Sequence, residues 1–194
     1  MRPIRHLCVP LLALWLGGCA TAETPVTQYV LPADAGSQDA RIPSASATPL
    51  VVAPPRLANY LEAEGVVLQV DDISLNQAKS HQWAAPLVQQ LERGLRDRLA
   101  DRLTGRRVLL SSGPAEGAMT LELSIDRFQG HYDGYAVTSG QWLLRDARRQ
   151  VIDSDSFEAR EPLDSDGYAA LVRALGRTWD GVADTIAARV RQAS

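Results

Sequence analysis

Cysteine is scarce in this chain: two occur in 194 residues, Cys8 and Cys19. Everything after Cys19 lacks a thiol, which excludes a disulfide, a cysteine metal site and thiolate chemistry from the folded part. In an oxidising compartment such a domain is held by packing. Lysine is scarcer still, with Lys79 the only one; the other basic residues are arginines. They form no basic patch, so nucleic acid is not an expected partner. No apolar run reaches the ~20 residues that a spanning helix needs. The Gly-x-Ser-x-Gly elbow of serine hydrolases is missing, and so is the ligand spacing of an EF-hand loop. Neither an enzyme nor a cofactor is expected.

What is present begins with a leader. Arg2 and Arg5 precede an apolar run from Leu7 to Leu16, broken only by Pro10, and Leu16-Gly17-Gly18-Cys19 follows. A basic start, a short apolar core and small residues at its end describe a secretory signal. Leu at −3, small residues at −2 and −1, and Cys at +1 describe a lipoprotein signal. Residues 1–18 are therefore expected to be removed by cleavage between Gly18 and Cys19. The Cys19 thiol is expected to carry diacylglyceryl, with a further acyl chain such as palmitate on the new N-terminus. Two buried chains already hold a protein stably on a bilayer. Residue +2 is Ala20 rather than Asp, which favours the outer membrane over retention at the inner one.

About 175 residues remain from Cys19 onward, enough for one domain and a tether. The chain is 45% apolar, sufficient for a core. Without Arg2 and Arg5, 18 basic residues face 23 acidic ones, a net charge of −5. Residues 19–49 are rich in Ala, Thr, Ser and Pro and read as a tether able to lift the domain from the bilayer. Within it Gln28-Tyr29-Val30-Leu31 has the character of an edge strand.

A single domain is expected over residues 50–194. Leu50 to Ala53 reads as a strand stopped by Pro54-Pro55, and Leu57 to Leu61 as a turn or short helix. Val66 to Val70 and Ile73 to Leu75 read as a hairpin around Asp71-Asp72. Leu87, Leu91, Leu95, Leu99 and Leu103 recur every four residues, the stripe of an amphipathic helix entered at Pro86 and stopped at Gly105. Arg107 to Leu110 reads as a strand ended by Gly113-Pro114. Met119, Leu121, Leu123 and Ile125 alternate with Thr120, Glu122, Ser124 and Asp126, a strand with one wet face. Tyr135 to Arg145 and Gln150 to Arg160 complete a meander. Tyr168, Leu171, Leu175, Trp179, Val182, Ile186 and Val190 mark a second amphipathic helix, capped by Asp164 or Ser165 and weakened at Gly176 and Gly181. The expected fold class is α+β: a mostly antiparallel sheet with two long amphipathic helices packed on one face.

Several residues invite functional readings. His131 and Asp133 with Ser139 or Ser124 have the types of a catalytic triad, but they fall at a turn between strands. Asp153, Asp155, Asp164 and Asp166 have the charge for calcium; as a solvated face and helix caps they need no ion. His81 fits a surface or capping role at a helix start. Tyr60-Leu61 suits either an exposed hook for a partner or a buried staple. Trp83, Trp142 and Trp179 suit core or interface anchors.

Four stretches carry a family resemblance. They are Gln28-Tyr29-Val30-Leu31-Pro32, then Val51 to Leu61, then Leu75 with Gln82-Trp83-Ala84-Ala85-Pro86-Leu87, and the closing helix. In this order and spacing the chain resembles the PqiC-like ABC-type transport auxiliary lipoproteins, also described as membrane integrity-associated transporter subunits. It departs from their pattern in Val67-Leu68-Gln69-Val70, where Arg and Thr are common, and at Ala85, where Glu is common. The resemblance implies a non-enzymatic outer-membrane lipoprotein that partners a periplasmic MCE-domain protein in moving phospholipid or other hydrophobic molecules. A homo-oligomer would suit an oligomeric partner. Tyr60, Leu61 and Trp83 are then candidate partner contacts. The competing reading is an assembly factor for lipopolysaccharide or outer-membrane proteins.

Overall fold

The computed structural model describes residues 25–33, 47–113 and 116–193. The signal segment, the Gly18–Cys19 cleavage site, Pro114 and most of the expected tether lie outside the described residues. Nine strands form one sheet: β1 (Thr27–Tyr29), β2 (Leu50–Val52), β3 (Arg56–Leu57), β4 (Gly65–Gln69), β5 (Leu75–Trp83), β6 (Val108–Leu110), β7 (Met119–His131), β8 (Tyr135–Arg145) and β9 (Val151–Pro162). Two helices accompany it, α1 (Leu87–Arg102) and α2 (Tyr168–Gln192). A 3₁₀ turn spans Asn59–Leu61.

The spine is β7. One of its edges pairs antiparallel with β8, which pairs antiparallel with β9. Along the other edge lie β2, β3 and β4 in succession, opposite Met119–Leu121, Ser124–Ile125 and Gly130, all parallel to β7. β6 adds to β2 in parallel, β5 to β4 antiparallel, and β1 to β5 in parallel. The sheet curls into half a barrel.

The expected mostly antiparallel sheet is therefore corrected: the sheet is mixed. Part of the reason is Pro54-Pro55, which keeps the chain running on along β7, where β2 is already parallel to it. Proline has no N–H for a ladder, so the pair interrupts pairing without reversing the chain. On either side the ladder resumes, with Ala53 N–H donating to the Leu121 carbonyl and Ala58 N–H to that of Ile125. The stretch from Leu50 to Gln69 thus threads one edge of β7 in one direction. Period-two alternation reports which face is buried, not which way a neighbour runs.

The core lies between helices and sheet. The α1 stripe of Leu87, Leu91, Leu95 and Leu99 is buried and continues into Leu103. Trp83, Phe128 and Trp179 are linked by ring contacts with centroids 6.0 and 6.2 Å apart. Trp179 Nε1 donates to the Leu91 carbonyl at 3.3 Å, tying α2 to α1. Gly176 has a packing reason: a Cβ there would meet the Pro32 ring at 3.3 Å. Neither Asp164 nor Ser165 caps α2. Gly167 occupies the cap with φ at +102°, and Asp164 accepts from Arg177 instead.

Candidate functional site

Two of the three candidate partner contacts lie inside the molecule. Leu61 is 1% exposed and Trp83 6%. Trp83 packs on Phe128, and its backbone N–H donates to the Glu64 carbonyl. The half-buried Tyr60 hydroxyl is 2.7 Å from both the Asp126 carbonyl and Gln129 Oε1. Gln129 Nε2 in turn donates to Gln69 Oε1 at 3.1 Å. Burial pushes the phenol pKa up, so Tyr60 stays protonated. The three residues brace the threaded edge of β7 from within.

The segment expected as tether also enters the domain. β1 pairs with β5, Leu31 is buried, and Leu31 N–H donates to Gln90 Oε1 at 2.7 Å. The Pro32 carbonyl accepts from Arg98 at 2.8 Å.

The triad types do not assemble. Ser139 sits opposite Arg127 and accepts from its Nε at 2.8 Å. His131 is four residues further along β7, roughly 13 Å at 3.3 Å per residue, and Ser124 is further still. His131 instead stacks on Tyr132 and lies 3.4 Å from Asp133. Asp153 is taken by Arg189 at 2.7 and 2.9 Å, which holds its carboxyl below the usual carboxylate range. Among the described residues no cluster of His, Cys, Asp and Glu could hold a metal ion.

Two surfaces stand out among the described residues. The first is the sheet face turned from the helices. Register places Glu122, Leu143 and Ser154 across one row, and Ser124, Gln141 and Ser156 across the next. With Arg56 and Arg145 they line an open groove of about 420 Å³. Its charges balance in number, Arg56 and Arg145 against Glu122 and Asp155; Arg145 donates to Glu122 at 3.0 Å, and beyond the groove Arg127 donates to Glu158 at 2.6 Å. Such a face offers polar side chains for docking rather than an isolated reactive group. Alternation revealed its β7 half; the β8 and β9 half needed the strand register.

The second surface is an end of the sheet where apolar side chains face water. Ile73 is 87% exposed, with Val70, Leu75, Tyr132 and Tyr135 exposed around it. Ile73 lies in the β4–β5 turn, not in a strand as its sequence context suggests. Asp71 accepts the backbone N–H groups of Ile73 and Ser74 at 2.9 and 2.6 Å and fixes that turn. Asp followed two or three residues later by the turn's apex is the readable signal, since Asp side chains close such turns on their own backbone.

Comparison with known proteins agrees with this architecture. The family model of the ABC-type transport auxiliary lipoprotein component matches residues 29–187. The intermembrane transport lipoprotein PqiC of Escherichia coli K12 is 32% identical over 186 residues, covering 95% of this chain and 96% of that protein. A crystal structure of an uncharacterized protein superposes with a TM-score of 0.73 at 30% identity, covering 86% of this chain and 99% of the other. One from Xanthomonas campestris shares the fold, with a TM-score of 0.65 at 21% identity over 83% and 92% of the two chains. The chain belongs to the ABC-type transport auxiliary lipoprotein family.

Proposed function

We propose that this lipoprotein is lipidated at Cys19, sits on the periplasmic face of the outer membrane, and docks a periplasmic MCE-domain protein of a transport assembly. The cargo class is phospholipid or another hydrophobic molecule, and the chain performs no chemistry of its own. The supporting observation is the groove along β7, β8 and β9, whose two arginines and two carboxylates balance in number, Arg145 being paired with Glu122. Matched charges at an open face favour a complementary protein surface, because such polar groups fix register and partner choice. The match to the intermembrane transport lipoprotein PqiC over 96% of its length supports the transport reading.

The test is a photo-crosslinking residue in place of the exposed Gln141, expressed in the intact envelope. An adduct with a periplasmic transport component is expected. Adducts confined to lipopolysaccharide- or barrel-assembly proteins would replace this reading with that of an assembly factor.

A further inference from the structure

The direction of β1 fixes where the lipid anchor can lie. β1 runs parallel to β5, with Thr27 opposite His81 and Tyr29 opposite Trp83. β5 descends from the Leu75 turn toward Trp83. Going backwards from Thr27, the chain therefore heads toward that turn. Pro25, the first described residue, lies at the level of Lys79. Four residues of β5, about 13 Å, separate that level from Leu75. Six peptide links separate Pro25 from Cys19, and fully extended they span at most about 20 Å.

The opposite end of the sheet is out of reach. Lys79 lies between Gln77, paired with Val67, and Gln82, paired with Gly65; with Leu68 beside Gly130 this puts it between the levels of Gln129 and Arg127, near Phe128. From Phe128 back to Thr120, beside the turn that joins β8 to β9, is eight residues, roughly 27 Å. An anchor at Cys19 can lie at the β4–β5 end and not at the β8–β9 end.

The same end carries the exposed apolar side chains. Leu68 pairs with Gly130, so the β4–β5 turn and the β7–β8 turn stand side by side. Together they present Val70, Ile73, Leu75, Tyr132 and Tyr135. We propose that this end rests in the bilayer that holds the acyl chains, with Ile73 at its deepest point and the groove of β7, β8 and β9 standing roughly upright from the membrane. The inference rests on the lipid anchor proposed above and adds an orientation to it. Aromatic rings at the polar–apolar boundary suit the flanking tyrosines. Asp71, Asp72 and Asp133 border the patch and, among the described residues, no basic cluster does, so the contact is apolar and the lipid surface it fits is zwitterionic rather than anionic.

The mature, acylated chain has its Cys19 sulfur blocked, so one introduced thiol labels uniquely. Ile73→Cys and Tyr132→Cys would each carry an environment-sensitive fluorophore in phosphatidylethanolamine–phosphatidylcholine vesicles containing nitroxide lipids. Ile152→Cys, exposed at the far end, is the reference. Expected are blue-shifted emission and quenching several-fold stronger at 73 and 132 than at 152, unaffected by salt. Equal quenching at 73 and 152 in a chain that floats with the vesicles overturns the orientation alone. Shielding at 73 that needs an added periplasmic protein also overturns it, in favour of a protein partner. A chain that does not float overturns the lipid anchor and the orientation with it.

Discussion

Arg98 is the buried charge on which three segments converge. It is 1% exposed. Its guanidinium donates to Asp180 of α2 at 2.5 Å, to the Pro32 carbonyl at 2.8 Å and to the Gly94 carbonyl of its own helix at 3.2 Å. The planar fork is what allows several acceptors at once, and lysine has no equivalent. Removing one partner of a buried pair is costly because the other stays desolvated and unpaired. Asp180 is 30% exposed, so water recovers part of that loss. Arg98→Leu should destabilise the domain by about 2–3 kcal/mol, and Arg98→Lys should restore less than half of it. Urea unfolding of the mature chain in detergent, read as a shift of midpoint at constant slope, measures both. In the sequence Arg98 is one of many arginines on a charged helix face. Nothing local distinguishes it, because its partners lie 66 and 82 residues away.

At the scale of elements, α2 is held to β9 by Arg189, whose guanidinium lies bidentate on Asp153 and 5.9 Å from the Trp142 ring. The Asp153 carboxyl is held below its ordinary pKa, chiefly by the hydrogen bonds from Arg189. A depressed carboxylate contributes stability above the unfolded pKa and loses it as pH falls through the folded one. Unfolding stability should therefore decline as pH drops below about 4, and Asp153→Asn should flatten that acid limb while leaving little pH dependence above it to change. Thermal melts of both chains from pH 3 to pH 7 read the difference. β1 supplies a second case. Leu31 is 7% exposed and follows β1 directly into the core. Leu31→Ala should cost about 2–3 kcal/mol in the same urea assay, as a residue of a free tether would not.

The elements legible in sequence were those with a strong period: α1, α2 and the β7–β8–β9 meander. β5 was legible only at its first residue, because Asn76 to Gln82 bury just Ala78. A strand whose neighbours supply backbone pairing rather than a buried face leaves no alternation to read. The parallel pairing of β2, β3 and β4 was invisible for a related reason, since local pattern carries no direction. Gly140 shows the limit at one position: a Cβ there would meet the Ser124 carbonyl oxygen at 2.0 Å, a contact created by register alone. Of the candidate site, the wet face of β7 was readable from Glu122 and Ser124. The burial of Leu61 and Trp83 was not, because Leu61 suits either a hook or a staple and Trp83 either a core or an interface anchor until the core around them is known.

At the scale of the whole molecule, the topology separates two connections of similar composition. The chain between Ala33 and Ala47 leaves the domain after β1 and returns to it at β2, so both its ends are fixed to the same body. The chain between Cys19 and Pro25 has one end on the domain and, in the proposed function, the other in the bilayer. A flexible insert of about twelve Gly and Ser residues adds a root-mean-square span of roughly 20 Å. Placed after Ser37, it should leave the distance between domain and membrane unchanged and cost little stability, since loop closure grows only slowly with length. Placed after Ala22, it should let the domain rise from the surface. Energy transfer from a fluorophore on Ile152→Cys to acceptor headgroups reads the distance: efficiency should hold with the first insert and broaden with the second. Equal behaviour of the two inserts would mean that the short Cys19–Pro25 link does not set the stance of the domain, and the groove along β7, β8 and β9 would then have no fixed angle to the membrane.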